Sequence, residues 1–471
     1  MAKKYNEVTP EILEQFKAIV PGKVYAGEEI NSDYFHDEMP IYGKGAPEVV
    51  IEATTTEDIA AIVKVCYENS LPVIPRGAGT GLTGAAVAVD GGVMIDMTKM
   101  NKILGYDLEN FVVRVEPGVL LNDLAEDAQK QGLLYPPDPG EKTASIGGNV
   151  ITNAGGMRAV RYGLTRDFVR CIEAVLPDGE IVQFSSNVVK NTTGYDIKDL
   201  VIGSEGTLCI LTEVTLKLMP APKFTRTLVM PFESLERCID MVPRLLQMAA
   251  VPTAIEFLER ELIDIVERNL HKLLPVKEGD AVLIVMYDAG SEQELLSACT
   301  EASDAALEAG AIDVYIADTP ERIASVWSVR GAILEGMKAE SVAQEECDVV
   351  VPRAKIAEYV RLAKSIGAKY GIRVEPCGHA GDGNIHTEML RDASMSDEDW
   401  IRGTRACLTE LYGVSKQFGG QLSGEHGIGN GRLEYLKPFV GDRMYKLYQS
   451  IKLAFDEKLI LNPGKIITFD E

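Results

Sequence analysis

The sequence predicts an α+β protein whose strands and helices are grouped around glycine-rich segments. Three observations carry this. Strand-like runs in the first half are broken by dense glycine, as in RGAGTGLTGAAVAVDGG (76–92) and SIGGNVITNAGG (145–156). After MPAPKFTR (219–226), with two prolines and a change of charge, strand-like runs alternate with amphipathic helices, the mark of an antiparallel sheet with attached helices. From Arg432 the chain reads as mainly helical and ends in LNPGKI (461–466). A chain of 471 residues has room for two to four domains at roughly 100–200 residues each.

The elements follow in order. TTTEDIAAIVKVCYENS (54–70) reads as a helix with a capping box from Thr54 and Glu57, and Ile59, Ile62, Val63 and Cys66 share one face. LPVIP (71–75), VMIDM (93–97) and FVVRVEPGV (111–119) read as strands, and Gly132 closes a helix over about 120–131. The segment 145–156 is too rich in glycine to predict a regular element. CIEAVLPDGEIVQF (171–184) predicts two strands around Pro177-Asp178-Gly179, and 203–220 ends in a strand of alternating pattern. Beyond the linker, TRTLVMPF, AVLIVMYDA and DVYIAD predict strands, with helices near 233–249, 291–310, 319–340 and 396–419.

Apolar content of 46 % with 25 % charged residues is that of an ordinary globular protein. A net charge of −24 argues against nucleic-acid binding and against docking on anionic lipid. The acidity serves solubility, with a basic protein partner as the sharper alternative. MAKKYNEVTP has no apolar signal-peptide core, and no window approaches a membrane span, so the expected location is cytoplasmic, without membrane insertion. The eight cysteines are scattered, which predicts reduced thiols and no cluster of Cys ligands.

Two constellations carry chemistry. GTGLTG (79–84) matches GxGxxG after a strand, but a dinucleotide-binding βαβ unit needs a helix next, and AAVAVDGGVMIDM is β-prone. The alternatives are an ordinary turn and a backbone cradle. In the cradle, Gly77, Gly79, Gly81 and Gly84 let N–H groups approach a pyrophosphate, with Thr80 and Thr83 adding hydroxyls. The second constellation is CGHAGDGNIH (377–386) with SGEHGIGNG (423–431). His379 and His386 would face opposite sides of one regular strand, but GDGN can turn the chain and bring them together. With Glu425 they make a divalent-metal set of two imidazoles and a carboxylate. Satisfied loop histidines, a zinc hydrolase and a facial-triad iron oxygenase are the other readings; the last two leave the glycine loops unexplained.

PRGAGTGLTGA, PPDPG…SIGGNVITNAGG, GSEGTL, GHAGDGNIH, SGEHGIG and LNPGKI, in this order, resemble the FAD-linked D-2-hydroxyacid dehydrogenases of the vanillyl-alcohol-oxidase superfamily, over roughly residues 40–468. The resemblance implies a two-subdomain PCMH-type FAD-binding domain (1–221). It further implies a cap domain with an antiparallel sheet that carries the metal site (222–430), and a C-terminal segment that returns to the flavin (431–471). It implies that Arg76, Gly77, Gly79, Thr80, Gly81 and Gly84 cradle the pyrophosphate. Pro137, Asp138, Thr143, Ser145, Gly148, Asn149, Asn153, Gly155, Gly163, Glu205 and Ile210 would line the flavin. No histidine lies between His36 and His271, so the FAD is expected to be non-covalent.

The same resemblance makes His379, His386 and Glu425 ligands to Fe, Zn or Mn, and His426 the general base. Asn384 would position flavin or substrate, and Arg330, in WSVRGAI, would clamp the substrate carboxylate. Glu346 stands where the 2-hydroxyglutarate enzymes carry a lysine, which favours a small monocarboxylate: D-lactate first, then glycolate. The implied partner is an electron-transferring flavoprotein, with electron bifurcation, or an iron–sulfur subunit. Outside this class stand an ether-lipid-type flavin transferase and a silent electron-relay subunit.

Overall fold

The computed structural model describes residues 5–38 and 45–469. The chain divides into two compact units. The first comprises Met1–Gly155, Leu164–Ala221 and Glu425–Glu471, and the second Gly156–Gly163 and Pro222–Gly424.

The first unit holds two main sheets. One has the order Val24–Ala26, Val49–Glu52, Val93–Asp96, Val73–Arg76, with an antiparallel first pair and parallel pairs after it. The helix Thr56–Asn69 buries Ile59, Ile62, Val63 and Cys66 with Val49, Ile51, Val73, Val93 and Ile95 of this sheet. Its capping box lies one residue later than predicted. Thr55 is the N-cap and Asp58 its partner, because the Asp58 carboxylate reaches both the Thr54 and the Thr55 N–H groups.

The other sheet is antiparallel: Ile103–Asp107, Val112–Val115, Ile210–Lys217, Val169–Val175, Ile181–Ser185. The predicted turn at 177–179 joins its last two strands, with Gly179 at φ +89°.

The segment 145–156 departs from expectation, because Ile146–Thr152 is a helix. Ser145 caps it, accepting from the Gly148 N–H at 3.3 Å. Its glycines serve close packing: a Cβ on Gly147 would lie 2.5 Å from the Pro117 Cβ and 3.0 Å from its carbonyl oxygen. The helices Leu433–Val440 and Asp442–Phe455 lead to a final segment that bonds back to the first sheet, with Asn462 N–H donating to the Val73 carbonyl at 2.7 Å.

The second unit is built on a seven-stranded antiparallel sheet. Its order is Tyr315–Ala317, Phe224–Phe232, Ala281–Ala289, Ala254–Glu259, Arg373–His379, Asn384–Leu390, Gln344–Val350. Helices Arg260–Leu270, Pro320–Arg330 and Ile333–Lys338 share an apolar cluster with it. Two predicted helices are each split in two. The one over 233–249 becomes Leu235–Asp240 and Val242–Leu246, where Pro243 has no N–H to continue the ladder. The one over 319–340 breaks at Gly331.

Candidate active site

A cleft of about 210 Å³ in the first unit is lined by the first glycine loop, by the helix Ile146–Thr152 and by Glu205–Gly206. Of the sequence-predicted residues, Arg76, Gly77, Gly79, Thr80, Gly81, Ser145, Gly148, Asn149, Gly155, Glu205, Ile210, Glu425 and His426 form its wall. Arg76 also braces the loop, donating to the Asp33 and Ala86 carbonyls at 2.9 and 3.2 Å.

Six of the residues expected to cradle or line the flavin lie off this wall. The Gly84 N–H donates to the Asp37 carboxylate at 2.5 Å. Pro137 precedes a turn in which Asp138 pairs with Lys142, and Thr143 bonds Glu141. Asn153 caps the 146–152 helix at φ +56° and accepts from the Arg166 N–H at 3.0 Å. Gly163 belongs to the second unit. Cys209, which sequence reasoning did not single out, lines the cleft, but burial pushes its thiol up to about 12. A thiol so held is no nucleophile.

Glu425 and His426 reach the wall because the segment after them is strapped down. The Thr83 carbonyl accepts from Asn430 N–H and Gly431 N–H at 3.0 and 2.9 Å. Glu205 accepts from Ile428 N–H at 2.7 Å and from Gly429 N–H at 2.6 Å, one on each carboxylate oxygen. Burial pushes the Glu205 carboxyl up to about 7, against the pull of these two N–H groups. Its backbone sits at φ +52°, a left-handed conformation uncommon outside glycine and tolerated where a side chain must be aimed. His426 Nε2 lies 3.7 Å from a Glu425 oxygen.

In the second unit GDGN does turn the chain. His379 ends one strand, Asn384 opens the next, and the two are register partners. Strand alternation then puts Glu256, His379, His386, Glu346 and Asp348 on one face of the sheet. The imidazoles stand edge to face, with Nε2 atoms 3.4 Å apart. Each Nδ1 meets a buried carboxylate: Glu256 at 2.7 Å for His379 and Glu346 at 3.0 Å for His386. Arg330 Nε donates to the other oxygen of Glu256 at 2.7 Å. Burial alone would raise the Glu256 carboxyl, yet His379 and Arg330 hold it below the usual range.

Asn384 donates to Asp348 at 2.6 Å and to the Val349 carbonyl at 2.9 Å. Asp348 also accepts from the Ser423 hydroxyl and from Gly424 N–H, at 2.7 and 2.9 Å. That fixes the residue just before Glu425 in the chain. Glu256 escaped sequence reasoning, although a lone glutamate inside the apolar run AIEFL was a signal, since charges are rarely buried unless paired.

Residues 221–466 match the family described as FAD linked oxidases, C-terminal domain, and residues 47–185 match the FAD binding domain. The chain belongs to the FAD-linked oxidases. It is 52 % identical to a D-lactate dehydrogenase of Anaerostipes hadrus, over 98 % of each chain. It is 34 % identical to the glycolate oxidase subunit GlcD of Bacillus subtilis, over 93 % of this chain and 92 % of that one. The crystal structure of p-cresol methylhydroxylase with substrate bound superposes with a TM-score of 0.82 at 19 % identity, over 99 % of both chains, and shows the shared fold.

This FAD-linked oxidase is thus an FAD-dependent oxidoreductase. The cleft suits the cofactor: its wall is mostly glycine and apolar side chains, and the buried Asn149 side-chain N–H₂ has no partner among the described residues and awaits an acceptor. The two histidines suit a divalent cation, since carboxylates on Nδ1 leave both Nε2 atoms as converging acceptors. Among the described residues no helix is long and apolar enough to cross a membrane.

Proposed function

We propose that this FAD-linked oxidase oxidises a small D-2-hydroxyacid, D-lactate to pyruvate first among them, and passes the electrons to a redox partner. The observation that carries the reading is that Glu425 and His426 line the same cleft as the glycine loops. A carboxylate ligand and a candidate base then stand beside the flavin site. The relatives named D-lactate dehydrogenase and glycolate oxidase subunit support the substrate class.

When bound, the non-covalent FAD supplies the acceptor for the hydride from substrate C2, and a divalent Fe, Zn or Mn ion supplies a Lewis acid for the 2-hydroxyl. His379, His386 and Glu425 are the ligands in this reading. His426 takes the hydroxyl proton, as a neutral imidazole is available near pH 7. Arg330 holds the substrate carboxylate, its guanidinium plane set by the Nε bond to Glu256. Asn384, locked by Asp348 and the Val349 carbonyl, positions substrate or flavin. Gly77, Gly79, Thr80 and Gly81, which line the cleft, would hold the pyrophosphate. Buried Glu346 adds negative charge that disfavours a second substrate carboxylate.

The electron acceptor in this reading is an electron-transferring flavoprotein, with bifurcation toward a nicotinamide, or an iron–sulfur subunit. The deciding experiment is an anaerobic visible spectrum of the purified protein before and after D-lactate. Flavin bands that bleach support the reading. Bands that persist in metal-replete protein reject lactate, and faster bleaching by D-2-hydroxyglutarate overturns the substrate assignment.

A further inference from the structure

We propose that Glu256 and Glu346 are positioning residues. They fix His379 and His386 as Nδ1–H tautomers, so that the pair offers two Nε2 lone pairs to one cation before any cation arrives. This rests on the metal reading above and deepens it.

Strand register sets the two pairs. Glu256 is the register partner of His379, and Glu346 lies two residues from Asp348, the register partner of His386. Side chains two apart on a strand share a face, so each glutamate stands beside one imidazole. Both carboxylates and both imidazoles are buried, and the Nδ1-to-oxygen distances are 2.7 and 3.0 Å. An ionised carboxylate only accepts, so each Nδ1 must carry the proton. A neutral imidazole has one N–H, and Nε2 of each ring then carries the lone pair.

Two such acceptors 3.4 Å apart repel each other. A divalent ion turns the repulsion into two bonds. A shared proton does so more weakly. Either way the carboxylates have determined which atoms face the cation. Arg330 Nε donates to the far oxygen of Glu256 at 2.7 Å and so keeps that carboxylate aimed. The two glutamates touch neither substrate nor flavin in this account; they act through the histidines. Such outer carboxylates are typically worth 10–100-fold in metal affinity.

The test uses flavin-loaded protein with ¹⁵N-labelled histidine, stripped by a chelator and titrated with Zn²⁺ as a diamagnetic probe. Only five histidines share the spectrum. Wild type should bind Zn²⁺, with protonated Nδ1 and unprotonated, Zn-shifted Nε2 on both His379 and His386. Glu256→Gln should weaken Zn²⁺ by about 10–100-fold and loosen the tautomer at His379 alone. Glu346→Gln should do the same at His386 alone, because an amide can present either its oxygen or its NH₂ to Nδ1. Should Glu256→Gln, which sets Arg330 beside a neutral group, fail to fold, Glu346→Gln decides by itself. Variants that match wild type in affinity and tautomer overturn the inference and leave the metal reading standing. Wild type that takes up no Zn²⁺ removes the metal reading and the inference with it.

Discussion

The flavin cleft of the first unit is walled largely by backbone: glycine loops, a capped helix end and a strap held by main-chain N–H groups. The histidine hairpin of the second unit is assembled from buried side chains, two imidazoles backed by two carboxylates. The contrast decides what each half tolerates. A backbone site resists an added Cβ but is indifferent to much side-chain change around it. A side-chain site keeps its fold after an isosteric change yet loses its chemistry, because each polar group was buried only on condition of its partner.

Substitutions in each half test the difference. His386→Ala should have the largest effect. All cleft-lining residues belong to the first unit, so the flavin spectrum is expected to be intact. On the proposed metal reading, this change removes several kcal/mol of Lewis-acid stabilisation, a fall in kcat of about 1,000-fold or more. Steady-state kinetics on flavin-normalised protein measure it, and a fall under tenfold would separate the hairpin from the chemistry. Gly429→Ala comes next. Gly429 has φ +50°, and a Cβ there would meet the Thr83 carbonyl and lie 2.5 Å from its hydroxyl. Overpacking of this kind costs about 1–3 kcal/mol. Through a shifted His426 strap, kcat should fall roughly 5–100-fold. In metal-free protein the ¹⁵N signals of His379 and His386 should stay where they are, because Glu256 and Glu346 of the same sheet hold their Nδ1 atoms; signals that move would refute this.

The same contrast explains what could be read from the sequence. Backbone sites announce themselves, because glycine is needed where N–H groups must be approached closely, and the loop 77–81 was found that way. The hairpin was legible from GDGN between two histidines. Glu256 was not, since its partner His379 lies 123 residues away and only strand register brings them together. Glu346 was noticed for its charge, but its bond to His386 also depends on register. The helix Ile146–Thr152 defied its composition because Gly147 is required by Pro117, a tertiary contact that propensity does not contain. The cap displaced from Thr54 to Thr55 shows the usual limit of reading boundaries from adjacent threonines.

The smallest effect on turnover, and the finest probe of the strap, is expected at Glu205, where backbone and side chain meet. Burial raises its carboxyl in the folded protein to about 7, from an ordinary value of 4.5. A raised folded value means that the folded chain holds the proton more tightly than the unfolded one. The resulting stabilisation is fully present below pH 4.5 and is lost as the pH rises through about 7. Glu205→Gln has no such titration. It also loses one of the two oxygens that accept from Ile428 and Gly429, a pH-independent cost of about 1–3 kcal/mol. Thermal melts of both proteins from acid to neutral pH should show wild type ahead by the widest margin near pH 4.5, with the margin narrowing toward pH 7 and flat beyond it. The narrowing is on the order of 3 kcal/mol or less. A margin that widens with pH would mean that the two N–H groups outweigh burial and that Glu205 is an ordinary ionised clamp. The strap would then be held with full carboxylate strength across the whole working range.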